Sequence, residues 1–262
     1  MTESSLIFNP DRPIKFPHED SLNRKGFAKY IAKAILESQT KDSLVIGLLG
    51  EWGSGKTSLV NMTIDYINTI SDSLEQDEKP IIIYFNPWNF SGQNQLISQF
   101  FNKLSFTLGR LDYSDGLTKA SQLLKTASKI TKSFTYFLPF NVAASACSDM
   151  MTSMAEATES AGKLLEKDLD GTKNDISDIL EKQSMKIIIL IDDIDRLNNV
   201  EIRQIFQLVK SLADFPNTVY LLTFDKDIVI EALEKDQTGH GTEYLEKIVQ
   251  VPLDIPLISS DD

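Results

Sequence analysis

The residues best suited to chemistry are Gly50-Glu51-Trp52-Gly53-Ser54-Gly55-Lys56-Thr57, followed by Ser58. Glycines at 50, 53 and 55 permit backbone turns closed to other residues, so successive N–H groups can curl toward one anion. A helix starting at the end of the loop adds unpaired N–H groups and the positive end of its dipole. The pattern predicts a phosphate-binding loop in which Lys56 reaches the β- and γ-phosphates and the Thr57 hydroxyl ligates Mg²⁺. Gly50, Glu51, Trp52, Gly53, Ser54, Gly55 and Ser58 are the remaining candidate contacts to the nucleotide.

A second constellation is Ile187 to Asp193, five apolar residues ending in two acids. A buried strand with acids at its tip, downstream of a phosphate-binding loop, is the Walker B pattern. Asp192 is expected to hold Mg²⁺ through water, because Mg²⁺ keeps much of its hydration and takes only one or two protein oxygens. Asp193 is expected to orient or deprotonate the attacking water. Glu is usual there; Asp is one methylene shorter, which predicts slow turnover. The competing interpretation of 192–196 is a helix start with surface acids, Asp195 serving as N-cap. Thr223, at the tip of a later strand, could touch the γ-phosphate or the water, or could simply end the strand ahead of a cap by Asp225. Arg196 and Arg203 could neutralise charge in cis or in trans, or form surface ion pairs. Thr172-Lys173-Asn174-Asp175 has the spelling of a guanine reader but precedes the second acidic motif, so ATP is the expected nucleotide.

Positioning these residues requires strands that end at one edge. Candidates are Leu44–Leu49, Pro80–Phe85, Lys186–Ile191, Thr218–Thr223 and Ile248–Leu253. Continuous apolar runs between helical segments predict an α/β fold with three layers, a mainly parallel five-stranded sheet covered on both faces. Val60, Ile64 and Ile67 recur at helical spacing after the loop, and Leu96, Ile97, Phe100, Phe101 and Leu104 form another stripe. Ile202 to Leu212 predicts a further amphipathic helix over 201–212. The long span between the second and third strands predicts a helical insertion over about 111–183. Residues 1–42 are expected to form an N-terminal lead-in segment and helix, and 43–262 the nucleotide domain.

The formal charge of −12 argues against direct contact with nucleic acid, whose binders present basic surfaces. One cysteine, Cys147, leaves no intrachain disulfide and fits a reducing cytoplasm. Neither a leader peptide nor a span is expected: Phe134–Cys147 is short and carries Pro139 and Asn141, so membrane association is not predicted. Met150, Met151 and Met154 could form a partner surface or simply pack between helices.

Together these residues resemble the KAP family of P-loop NTPases. The resemblance rests on Gly-Glu-Trp-Gly-Ser-Gly-Lys-Thr-Ser at 50–58, Asn86-Pro87-Trp88, Ile191 to Leu197 with Asp192, Asp193, Asp195 and Arg196, Asp20 to Arg24, and Tyr244 to Pro252. It implies an additional-strand ATPase domain akin to AAA+ and STAND switches. It places Asn23 and Arg24 near the nucleotide base and keeps Lys56, Thr57, Asp192 and Asp193 in the roles above. Family members often insert membrane helices between the two nucleotide motifs, and some are linked to phage exclusion or membrane signalling; this chain departs by lacking a convincing span. The leading expectation is an ATP-hydrolysing switch, with a homo-oligomer or protein partner engaged through the insertion. A nucleotide-binding scaffold with little hydrolysis is the alternative; a DNA motor and a metabolic kinase fit the residues less well.

Overall fold

The computed structural model describes residues 12–38, 42–92, 95–110, 115–137, 169–234 and 240–256, with 132–137 by backbone only. Five strands, β1 (Leu44–Leu49), β2 (Ile81–Phe85), β3 (Ile187–Ile191), β4 (Thr218–Phe224) and β5 (Val251–Asp254), form one sheet. Their order is β2-β3-β4-β1-β5, and every pairing is parallel. The alternation of side chains along each strand feeds two cores. Val45, Leu49, Ile187, Ile189, Tyr220 and Leu222 enter one; Ile46, Leu48, Ile188, Leu190, Val219 and Leu221 enter the other.

The second core is closed by α1 (Lys25–Glu37) and α2 (Lys56–Ser71), through Ile31, Ile35, Leu59 and Ile67. The first is closed by α3 (Leu96–Gly109), α4 (Asp115–Phe137), α5 (169–180), α6 (Asn199–Gln207), α7 (Lys226–Glu234) and α8 (Gly241–Glu246). Within the predicted insertion, α4 is no loose appendage. Its Leu117, Ala120 and Leu124 are buried, and the hydroxyls of Ser105 and Ser121 cross-donate to each other's backbone carbonyls at 2.8 and 2.9 Å. Cys147, Met150, Met151, Met154 and most of Phe134–Cys147 lie outside the described residues. Among the described residues no helix is long and apolar enough to cross a membrane.

Two elements differ from expectation by more than one residue. The last strand begins at Val251 rather than Ile248, because the Ile248 and Val249 N–H groups both donate to Leu245 O, continuing the turn that ends α8. The predicted helix over 201–212 starts at Asn199 and stops at Gln207. Asn198 accepts from Glu201 N at 3.0 Å while Glu201 accepts from Asn198 N at 3.2 Å, a reciprocal cap that sets the start. After Gln207 a wider π turn, Leu208–Leu212, ends with Ala213 N–H donating to Leu208 O at 2.8 Å.

At the edge where β3 begins, Lys186 Nζ donates to Ile35 O and Ser38 O at 2.7 Å and to Leu36 O at 3.1 Å. These are orphan carbonyls of the α1 C-terminus, so one ammonium ties the helix to the sheet.

Candidate nucleotide site

At the opposite edge the loop after β1 runs into α2. Gly55, at φ 88°, caps that helix, and no side chain caps it in turn, an arrangement that leaves its first N–H groups suited to an anion. Gly50 is needed for close approach: a Cβ there would stand 2.5 Å from Ser54 Oγ and 3.1 Å from Ile255 Cδ1. Ser54 Oγ is itself buried without a hydrogen-bond partner, a polar atom turned into the loop with nothing to bond. Lys56 Nζ folds back across the loop, donating to Gly50 O at 2.8 Å, Glu51 O at 3.2 Å and Asp195 Oδ2 at 3.2 Å.

Sheet order brings the acids to this loop. β4 lies between β1 and β3, pairing Thr223 with Leu48 on one side and Leu222 with Ile191 on the other. Thr223 thus stands beside Asp192, and its hydroxyl donates to Asp192 Oδ1. The Thr57 hydroxyl donates to Asp192 Oδ2 at 3.0 Å, so the carboxylate is held by hydroxyls from two other elements. A hydroxyl and a carboxylate oxygen so placed are hard ligands of the type Mg²⁺ takes, and the donor set fits that ion.

Asp193 has a left-handed backbone, φ 62°, and its carboxylate is clamped. Asn86 Nδ2 donates to Oδ2 at 2.9 Å, and Arg196 Nε meets Oδ1 at 2.8 Å. The Arg196 guanidinium lies 4.4 Å from the ring centre of Trp52, an indole 68% exposed. Burial pushes the Asp193 carboxyl above the usual carboxylate range, helped by the adjacent Asp192 charge and opposed by Asn86 and Arg196.

Arg24, 7% exposed, donates from Nη1 to Ser54 O and from Nη2 to Pro256 O at 2.7 Å. It borders a cavity of about 80 Å³, lined also by Ile14, Leu22, Gly55, Ser58 and Met62. Ser58 Oγ accepts from Ile14 N at 3.2 Å, so this side chain anchors the N-terminal segment to α2.

Lys56, Thr57, Asp192, Asp193 and Thr223 therefore converge, and Arg24 and Ser58 lie on the flank of the loop. Gly53 sits at φ 79° with open space around it. The competing cap at Asp195 does not form. Ile194–Arg196 is a single 3₁₀ turn, and Asp195 points at Lys56 instead. The other reading at Thr223 is half right: Asp225 does accept from Asp227 N at 3.0 Å, yet the Thr223 hydroxyl still reaches Asp192. Thr172 to Asp175 lies within α5, and Lys173 donates to Ser211 O at 2.7 Å. Asn86 and Asp195 were not among the expected site residues. Their sequence signals are the Asn86-Pro87-Trp88 run at the end of β2 and the third acid of the Asp-Asp-x-Asp-Arg run.

Residues 24–262 match the family described as KAP family P-loop domain. The chain belongs to the KAP family. This KAP domain is thereby a P-loop NTPase domain of the nucleotide-binding kind. It is 24% identical over 264 residues to the phage T7 exclusion protein of Escherichia coli K12, covering 94% of this chain and 34% of that protein, about a third of its length. A solved structure of the Aeropyrum pernix ORC1 protein in complex with DNA is similar at 13% identity and a TM-score of 0.42, over 94% of this chain and 47% of that chain.

Proposed function

We propose that this KAP domain binds ATP with Mg²⁺ and hydrolyses it slowly, acting as a molecular switch. The observation that most supports the reading is the 3.0 Å bond from Thr57 to Asp192, which joins the phosphate-loop helix to the acidic strand tip. Lys56 and the open N–H groups at the start of α2 hold the phosphates, with Gly50, Glu51, Trp52, Gly53, Ser54 and Gly55 shaping the loop around them. Thr57 and Asp192 hold the metal, whose bound charge would offset that of the phosphates. Asp193 accepts a proton from the attacking water, and Thr223 keeps Asp192 aimed. Arg24 and the adjoining cavity face the base, with Ser58 securing that wall.

The clamp on Asp193 supports slow turnover, because a base held by Asn86 and Arg196 must be freed before it can act. Slow hydrolysis suits a switch, in which a held conformation lasts as long as the triphosphate. The named relative supports a role in excluding phage, with a second copy or a protein partner engaged through the helices of 111–183. In this reading residues 1–42 lead into a nucleotide domain of 43–262.

The test is calorimetric titration with ATP, with and without Mg²⁺, followed by phosphate-release kinetics at several protein concentrations. Mg²⁺-dependent turnover is expected, lost in Lys56→Ala and reduced about 10²- to 10⁴-fold in Asp193→Asn, the span typical of a removed general base. Equal turnover in the parent and Lys56→Ala would falsify the reading.

A further inference from the structure

Lys56 has three N–H donors, and each already has an acceptor: Gly50 O, Glu51 O and Asp195 Oδ2. The ammonium can take a phosphate oxygen only by giving one of these up. Asp195 is the one anion of the three, and so the one a phosphate both replaces in kind and repels. Its side chain is 3% exposed, and Lys56 is its sole polar partner among the described residues. A carboxylate so buried is tolerated only while a cation faces it.

We propose that Asp195 is a positioning residue that holds Lys56 where a phosphate oxygen belongs, and that its displacement on ATP binding draws Arg196 off Asp193 and Trp52. The proposal rests on the ATP reading above. Once Lys56 turns to phosphate, the buried Asp195 lacks a counter-charge and the turn carrying it must move. That turn is short, closed by Arg196 N to Asp193 O at 3.3 Å and Leu197 N to Ile194 O at 3.2 Å, and the buried Ile194 and Leu197 fix its ends in the core, so Asp195 and Arg196 shift together between them. Arg196 is the next residue along it, and Arg196 is both the clamp on Asp193 and the cation over Trp52. Filling the phosphate loop thereby frees the proposed base. The third acid of the Asp-Asp-x-Asp-Arg run acts through Lys56 on one side and Arg196 on the other, with no contact to the reacting atoms.

The experiment uses Trp88→Phe protein, in which Trp52 is the sole tryptophan. Trp88 is half exposed, and only its backbone N–H, which donates to Asn86 Oδ1 at 3.0 Å and is kept by Phe, touches the residues above. Saturating ATP is expected to change Trp52 emission as the guanidinium leaves its face. With Asp195→Asn added, ATP should bind about tenfold more tightly by calorimetry, since a competing anion is gone. The emission change should be lost at the same time, because no buried charge remains to drive the turn. Equal or poorer ATP binding by folded Asp195→Asn protein overturns the proposal and leaves the ATP reading standing. So does Trp52 emission unmoved by saturating ATP in protein that keeps Asp195, a measurement independent of how the variant folds. Absence of ATP binding by either protein overturns the ATP reading itself, and the proposal with it.

Discussion

Two lysines sit at opposite edges of the sheet, each ringed by acceptors, and the difference between them separates architecture from function. Lys186 is satisfied by three backbone carbonyls and the Ser38 hydroxyl, all at the end of α1. Lys56 has two backbone carbonyls and the carboxylate of Asp195. Carbonyls belong to a helix end and cannot leave without unfolding it. A side-chain carboxylate can. The lysine tied to fixed dipoles is a staple, and the one paired with a side-chain anion is, on the proposal above, a site held in readiness.

The contrast can be broken most sharply by exchanging the two lysines for methionine. Lys56→Met is expected to weaken ATP binding about 100-fold or more, equivalent to roughly 2.7 kcal/mol. Lys186→Met should leave affinity alone and lower unfolding stability by about 1–3 kcal/mol, since it strands helix-end carbonyls. Calorimetry and urea titration separate the two effects, and comparable loss of affinity in both variants would erase the distinction.

Asp193 has a raised folded pKa, so its stabilising contribution is complete below the ordinary carboxylate value of about 3.9 and is lost as pH climbs through the raised one. Asp193→Asn is therefore expected to be more stable than the parent at neutral pH. The gap should close as pH falls toward the ordinary value, followed by thermal midpoints across that range. Lys186 runs the other way: burial lowers its pKa, so stability rises with pH between that value and the ordinary lysine value of about 10.4. That rise should vanish in Lys186→Met. The smallest effect belongs to the exposed Trp52, whose stack on Arg196 contributes about 0.5–1 kcal/mol; Trp52→Ala in a urea titration measures it.

The features that were legible beforehand are contiguous ones. Gly50 to Thr57 states its own turns, and Ile187 to Asp193 states a buried strand with acids at its tip. Of the boundaries that moved, the start of α6 has a local signal in the Asn198-x-x-Glu201 cap, whereas the π turn after Gln207 and the turn that carries α8 through to Val249 have little local signature. The pairs missing from the sequence reading are long-range. Asn86 lies 107 residues from Asp193, and Lys56 lies 139 from Asp195. Nothing local announces such pairings, because any of several acids could face any of several cations.

Contiguous residues alone specify which backbone can fold around an anion, which runs become strands, and which acids stand at a strand tip. Those follow from glycine's conformational freedom and from apolar periodicity, both properties of neighbouring residues. The assembled sheet is what brings Asp192 to the two threonines, sets Asn86 and Arg196 on Asp193, and faces Asp195 to Lys56. Those assignments depend on β4 lying between β1 and β3 with β2 at the edge, which sets distances between side chains that the chain itself keeps far apart.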